Sequence, residues 1–224
     1  MAEKFEEIAV VVDQSSLGNG IYDLTLKTDK IAKAAKAGQF VSVYSNDKSK
    51  LLPRPISLCG INRDDDTIRL VYRVTGEGTG TEEFSKLVRG DKVRILGPLG
   101  NGFTVQPGKK AFLIGGGIGV PPMLQLAKDI NAGIVQTSGE EKNSGQAAME
   151  GAEIKTAVCD MNIVMGYRDE NTFLLDEFKE QAASFVATED GSVGTKGNVI
   201  DAIKENALAV SYTHLRAHET RHDL

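Results

Sequence analysis

The hydrophobic rhythm of this chain changes once, near residue 100, and that change divides it into two folding units. Before it, apolar positions recur in short alternating runs: FEEIAVVVD (5–13), IYDLTLK (21–27), QFVSVY (39–44), a run over 56–60, TIRLVYRV (67–74) and DKVRIL (91–96). Alternation carried by β-branched residues predicts strands with one buried face, and the Gly, Asn and Asp clusters between them predict turns. Six short strands at this spacing predict a small antiparallel barrel. One short helix is expected over TGTEEFSKLV, where Thr79 and Glu82 occupy the positions of a capping box.

The stretch GPLGNGFTVQPGKK (97–110) breaks the alternation with glycines and prolines, as a domain boundary does. Beyond it strand and helix patterns alternate. AFLI, NIVMGY (162–167) and SFVAT (184–188) read as strands; PPMLQLAKDI, NTFLLDEFKEQ (171–181) and GNVIDAIKEN (197–206) read as helices. That order predicts an α/β unit around a parallel sheet. The expected division is a barrel domain over 1–103 and an α/β domain over 108–210. Residues 131–160 admit two readings: a strand followed by a surface excursion, or a further α/β step carrying Cys159. The tail 211–224 matches nothing earlier in character and reads as foreign sequence in place of a lost segment. Its histidines, His214, His218 and His222, are spaced to share a helical face, a shape able to hold a metal. We assign them none.

Whole-chain properties exclude several functions. A net charge of -5 without a basic stripe argues against a nucleic-acid partner. No apolar run approaches the length of a membrane span, and the acid-bearing N-terminus lacks a signal-like apolar region. Two cysteines, Cys59 and Cys159, argue against a disulfide framework and for a reducing, cytoplasmic setting.

The glycine cluster GGGIGVPP (115–122) raises three phosphate-loop readings. A P-loop fails, because the only Gly-Lys pair, Gly108 and Lys109, is followed by Lys110 and has Phe103 at the first glycine position. The G-x-G-x-x-G fingerprint places Gly115 and Gly117 correctly but Val120 at its sixth position. A general geometry survives: a buried strand ends at Ile114, glycines turn the backbone, and Pro121 or Pro122 opens a helix. The helix N-terminus then faces the C-terminal edge of the sheet, where anions and nucleotides bind. The bland alternative is that the glycines only pack helix against strand. In the first half, LLPRPISLC presents Arg54 and Ser57 on a backbone stiffened by prolines. An arginine there suits a phosphate, and a serine can donate to a ring atom. RLVYRVTGEGTG ends a strand with Tyr72 and Arg73 and leads through glycines to Thr79 at a helix start.

Together RPIS (54–57), YRVTGEGT (72–79), and GPLGNGF (97–103) leading into LIGGGIGVPP (113–122) resemble the ferredoxin-reductase-type flavoproteins. More narrowly they resemble the family of electron-transfer subunits of NAD-linked (class B) dihydroorotate dehydrogenases, and TEDGSVGTKGNV (188–199) is in keeping. The resemblance runs from about residue 5 to 210. It implies a ferredoxin-reductase-like fold: a six-stranded antiparallel FAD-binding barrel followed by a parallel-sheet NAD-binding α/β domain. Arg54, Pro55, Ile56 and Ser57 would line the flavin and its phosphate side, and Val71, Tyr72 and Arg73 the next wall. Gly78 and Thr79 would approach the pyrophosphate. Gly115, Gly116, Gly117 and Gly119 would face NAD, with Asp190, Gly191, Ser192, Gly166 and Arg168 as weaker candidates.

The implied activity is electron transfer in pyrimidine synthesis. A partner subunit carrying FMN oxidises dihydroorotate, and electrons pass through a [2Fe–2S] centre to FAD and on to NAD+. The assembly would be a heterotetramer with two copies of each subunit, this chain being a redox subunit rather than a complete enzyme. Family members ligate the cluster with a cysteine-rich C-terminal segment. Four thiolates are needed; two cysteines are present, so FAD is expected and a cluster is not. Two alternatives stay open: a related flavoprotein subunit coupling NAD(P)H to ferredoxin, sulfide or polysulfide, and a non-catalytic two-domain binding module.

Overall fold

The structure is a computed structural model that describes residues 3–47, 50–105, 110–134 and 161–208, and the backbone of 214–216. The alternating first half forms β1 (Phe5–Gly18), β2 (Ile21–Lys27), β3 (Phe40–Val43), β4 (Arg54–Asn62), β5 (Thr67–Arg73) and β6 (Lys92–Leu99). They close into an antiparallel barrel in the order β1-β2-β5-β4-β3-β6. Alternation decides which side chains fill it. Leu24 and Leu26 from β2, Leu58 from β4 and Ile68, Leu70 and Tyr72 from β5 all point inward and are buried together.

Two helices stop the barrel's ends. The expected one is α2 (Gly80–Phe84). The other, α1 (Ile31–Ala34), was not legible in the sequence because its cap is not local. The Glu7 carboxylate, from β1, accepts hydrogen bonds from the backbone N–H groups of Asp29 (3.0 Å), Lys30 (2.7 Å) and Ile31 (3.2 Å). After β6 the chain folds back on the barrel. The Phe103 N–H donates to the Ala37 carbonyl at 2.8 Å, and the Phe103 ring lies over Gly38. A Cβ on Gly38 would stand 2.6 Å from that ring, and its φ of +86° is also one that glycine adopts freely.

The second half comprises β7 (Ala111–Gly116), a 3-10 turn (Gly117–Gly119), α3 (Pro122–Asn131), β8 (Met161–Tyr167), α4 (Leu175–Lys179), β9 (Ala183–Thr188), β10 (Thr195–Lys196), α5 (Val199–Glu205) and β11 (His214–Arg216). The sheet runs β10-β9-β8-β7-β11, with every pairing parallel. One expectation changes here. The helix expected over 171–181 contracts to α4, because Leu174 takes a left-handed φ of 66° immediately before it. Within the stretch read as a foreign tail, β11 hydrogen-bonds to β7, with His214 opposite Phe112. The remaining expectations for His218, His222, Cys159 and most of 131–160 lie outside the described residues. Among the described residues no helix is long and apolar enough to cross a membrane.

The two units share one hydrophobic core. Ile21, Ala37, Cys59 and Val71 from the barrel pack with Leu113, Val120, Leu124 and Phe178 from the α/β unit. Cys59 is a fully buried free thiol there, and burial pushes its pKa up to about 12, so it serves packing. Polar contacts cross the same seam. Arg69 on β5 places Nε 3.0 Å from Asp23 Oδ1 and Nη2 2.6 Å from Oδ2, on neighbouring β2. It also places Nη1 2.7 Å from Glu177 Oε2 and Nη2 2.8 Å from Oε1, on α4. Lys128 of α3 stands 3.6 Å from Glu177. The Ile61 N–H donates to Gln125 Oε1 of α3 at 2.6 Å, and Gln125 Nε2 donates to Asp129 at 2.7 Å. Asn19 Nδ2 donates to the Asp169 carboxylate at 3.1 Å.

Two outcomes follow from this packing. Leu70→Ala should cost about 2–5 kcal/mol, read as a lower urea midpoint, because the closed barrel collapses poorly around a deleted side chain. The Arg69 fork holds the Glu177 carboxyl below the usual glutamate range, against the opposing effect of burial. A depressed folded pKa gives stability that is present above the unfolded value and lost as pH falls through the folded one. The thermal midpoint should therefore drop on acidification below the ordinary glutamate range, and Glu177→Gln should flatten that part of the profile.

Candidate functional site

The first cluster forms where β4 begins. Alternation sends Ile56 into the barrel core, at 6% exposure, and leaves Pro55 and Ser57 exposed on the outer face. Arg54 is half-buried, and its guanidinium has no hydrogen-bond or ion-pair partner among the described residues. It lies against the opening residue of α2: a Cβ on Gly80 would stand 3.3 Å from both Cγ and Nε of Arg54. Gly80 was missed in the sequence, where it is one glycine of several in TGEGTG, although its place just after the Thr79 cap was a usable signal.

Thr79 caps α2, its hydroxyl accepting from the Glu82 N–H at 3.3 Å and donating to the Gly76 carbonyl at 2.7 Å. The return bond of the expected capping box lands one residue early, from the Gly78 N–H to Glu82 Oε2 at 2.6 Å. Hydrogen bonds from Lys86 and from the Gly78 N–H lower the Glu82 pKa. The Gly78 N–H is thus already engaged. The first helical N–H groups, those of Gly80 and Thr81, have no intrahelical acceptor, and Arg54 is beside them. Lys50, also missed, donates to the Thr79 carbonyl at 3.2 Å and pairs with Glu83 at 3.5 Å, tying the loop before β4 to α2.

Of the wall expected from Val71, Tyr72 and Arg73, the structure exposes only the Arg73 side chain. Val71 is buried in the shared core and Tyr72 in the barrel. The Tyr72 hydroxyl donates to Gln14 Oε1 at 3.0 Å, and Gln14 Nε2 donates to the carbonyls of Phe84 and Leu87, each at 3.0 Å. Tyr72 therefore supports α2 from beneath; any wall it offers is backbone.

The second cluster lies at the C-terminal end of β7, and its 3-10 turn packs against β5. The four expected glycines separate into two kinds. Gly115 and Gly119 are buried. A Cβ on Gly115 would stand 2.5 Å from Met123 Cε and 3.0 Å from the Gly119 carbonyl, so this glycine makes room for α3. Gly116 and Gly117 are half-exposed, and Gly117 turns the chain with a φ of +51°. Pro121 and Pro122 open α3, which no side chain caps, as the sequence leads one to expect. Gly166 of β8 sits beside Gly116 in register. The space above it is taken by Val199, 2.9 Å from where a Cβ would be. Arg168 is exposed just beyond that strand. Asp190 and Ser192 are occupied with each other: the carboxylate accepts from the Ser192 N–H at 2.9 Å and hydroxyl at 2.7 Å, which lowers its pKa. They shape the turn between β9 and β10.

The barrel thus carries a guanidinium without a partner among the described residues, a serine hydroxyl and opening helical N–H groups, and the sheet carries a glycine turn, packed on β5, with an uncapped helix start. These are groups that hold anionic, nucleotide-like molecules in place.

Comparison with known proteins agrees with this geometry. The family profile of the oxidoreductase FAD-binding domain matches residues 9–103. The chain is similar to the dihydroorotate dehydrogenase B (NAD(+)) electron transfer subunit of Streptococcus mutans, at 38% identity over 87% of this chain and 66% of the relative. It is similar to that of Enterococcus faecalis at 36% identity over 92% of this chain and 70% of the relative. It therefore spans about two thirds of the length of these relatives. Among solved structures, an NADH-dependent reduced ferredoxin-NADP oxidoreductase shares the fold with a TM-score of 0.71 at 24% identity, covering 90% of this chain and 64% of that one. A ferredoxin NADP+ reductase from Neisseria gonorrhoeae does so with a TM-score of 0.65 at 15% identity, covering 92% and 77%.

The packing at Gly115 makes its own test. Gly115→Ala should lower stability by about 1–3 kcal/mol through overpacking against Met123 and the Gly119 carbonyl. Shortening one neighbour in a Met123→Ala background should remove only part of that increment in a double-mutant cycle of unfolding free energies, because the backbone carbonyl stays in place.

Proposed function

The chain belongs to the family of the electron transfer subunits of dihydroorotate dehydrogenase B, and from that premise we propose that it binds FAD on the barrel and meets NAD+ at the glycine turn. In this reading it relays electrons from an FMN-containing dihydroorotate dehydrogenase partner to NAD+, in a complex with two copies of each subunit. One observation carries it: the unpaired Arg54 guanidinium beside Gly80, within the segment that matches an FAD-binding domain.

The residues present fit FAD. Arg54 supplies a charge-assisted contact for the pyrophosphate, and the N–H groups of Gly80 and Thr81 supply neutral donors beside it. A side chain at Gly80 would press on Arg54, whose Cγ and Nε lie 3.3 Å from where a Cβ would stand. Exposed Ser57 offers a hydroxyl to the ring system, and Pro55 stiffens its strand. Gly78 and Thr79 act by shaping the turn into α2. On the other unit, Gly116 and Gly117 let a dinucleotide approach the backbone, and the start of α3 presents its positive dipole end. FAD, when bound, supplies the capacity to exchange electrons singly or as a hydride, while the protein binds, orients and excludes water. A [2Fe–2S] centre does not fit the thiols of this chain, since Cys59 is sealed in the shared core and two cysteines cannot make four ligands.

Purified protein reconstituted with FAD should be yellow, hold one flavin per chain and bleach on adding NADH; a colourless protein after reconstitution would favour the non-catalytic binding module. Arg54→Gln should weaken FAD binding roughly 10- to 100-fold, the loss of one charge-assisted contact, measured by equilibrium dialysis. Gly117→Val should keep the flavin and slow its bleaching by NADH, because a side chain intrudes where the backbone must be approached.

A further inference from the structure

The proposed relay places its two binding clusters on different folding units, so electron transfer depends on how firmly those units are held together. We infer that Arg69 is a positioning residue that fixes the barrel against the α/β unit and thereby sets the gap between flavin and nicotinamide. This rests on the functional reading above for its consequence, but not for its geometry.

Among the described residues, three polar contacts that join the units can be compared, and they are unequal. Asn19 with Asp169 is an exposed hydrogen bond, and Ile61 with Gln125 is one backbone donor on one amide oxygen. Arg69 alone holds two carboxylates with the two sides of its guanidinium, Asp23 on its own barrel and Glu177 on α4. A planar fork held on both edges resists rotation as well as separation, which a single hydrogen bond does not. The node is partly shielded, with side-chain exposures of 24% for Arg69, 12% for Asp23 and 34% for Glu177. Gly60 leaves room for it: a Cβ there would stand 3.2 Å from Arg69 Cβ.

Position along the strand gives the node its reach. Residues 69, 71 and 73 share the outer face of β5. Arg69 is therefore only roughly 13 Å along the strand from Arg73, and the glycine turn packs on that same strand. A small rotation at the node moves the turn relative to β4 and β5, and a misplacement of about 1 Å between reacting groups can cost on the order of 100-fold in rate.

The test uses Arg69→Lys, which keeps the charge but cannot fork between two carboxylates, and Glu177→Gln, which keeps the shape and loses the charge. Spin labels at Val88→Cys on the barrel and Ile200→Cys on α5, both at exposed positions, report the inter-unit distance in a Cys159→Ser background. The expected result is a broadened distance distribution in both variants with FAD content unchanged. The saturating rate of flavin bleaching by NADH should fall at least tenfold, with the half-saturating NADH concentration within about twofold of the parent's. Distance distributions that match the parent's in both variants would overturn the inference. Broadened distributions with an undiminished saturating rate would overturn its link to electron transfer. Should the parent bind no FAD, the functional reading falls by itself, and the distances on the FAD-free chain still decide whether Arg69 sets the orientation.

Discussion

Strand β5 is buried along its inner face and again at Val71 on its outer face, and the rest of the molecule is organised around that fact. Inward, Ile68, Leu70 and Tyr72 complete the barrel core; outward, Val71 enters the core of the neighbouring unit, flanked by the charged Arg69. An antiparallel barrel strand ordinarily wets one face. Here the outer face is dry for part of its length and wet at Arg73, so a single strand meets solvent, seam and core in seven residues. The proposed cofactor site lies where that drying begins. One strand belongs to both hydrophobic cores, and the glycine turn packs on it.

Much of this was legible in the sequence. The alternation of TIRLVYRV and DKVRIL, and its replacement by AFLI and NIVMGY, pointed to the barrel and the parallel sheet. Pro121 and Pro122 marked the start of α3. What stayed hidden depended on distant partners. Helix α1 takes its cap from Glu7, and the fork of Arg69 joins residues 46 and 108 positions away. Alternation alone does not say which outer-face residues a second domain will cover.

The candidate site was legible at coarser grain than its residues. RPIS and the glycine cluster were found, and the resemblance they carry agrees with the family to which the chain belongs. Individual roles were less visible. Tyr72 reads as a ligand wall in the motif, while in space its ring is buried in the barrel and its hydroxyl bonds Gln14. Four consecutive-looking glycines serve two purposes, Gly115 and Gly119 for packing and Gly116 and Gly117 at the surface. Motif spacing records that a small residue is required, not whether a helix or a ligand requires it.

The capping of α1 by Glu7 carries a consequence for how the molecule assembles. A four-residue helix cannot nucleate alone, and this one borrows its acceptor from a strand more than twenty residues earlier. Its cap is complete only when β1 is in place, so the plug at that end of the barrel depends on a long-range contact. A chain stalled before β1 docks would leave Ile31 and Ala32 in water and the cylinder uncorked.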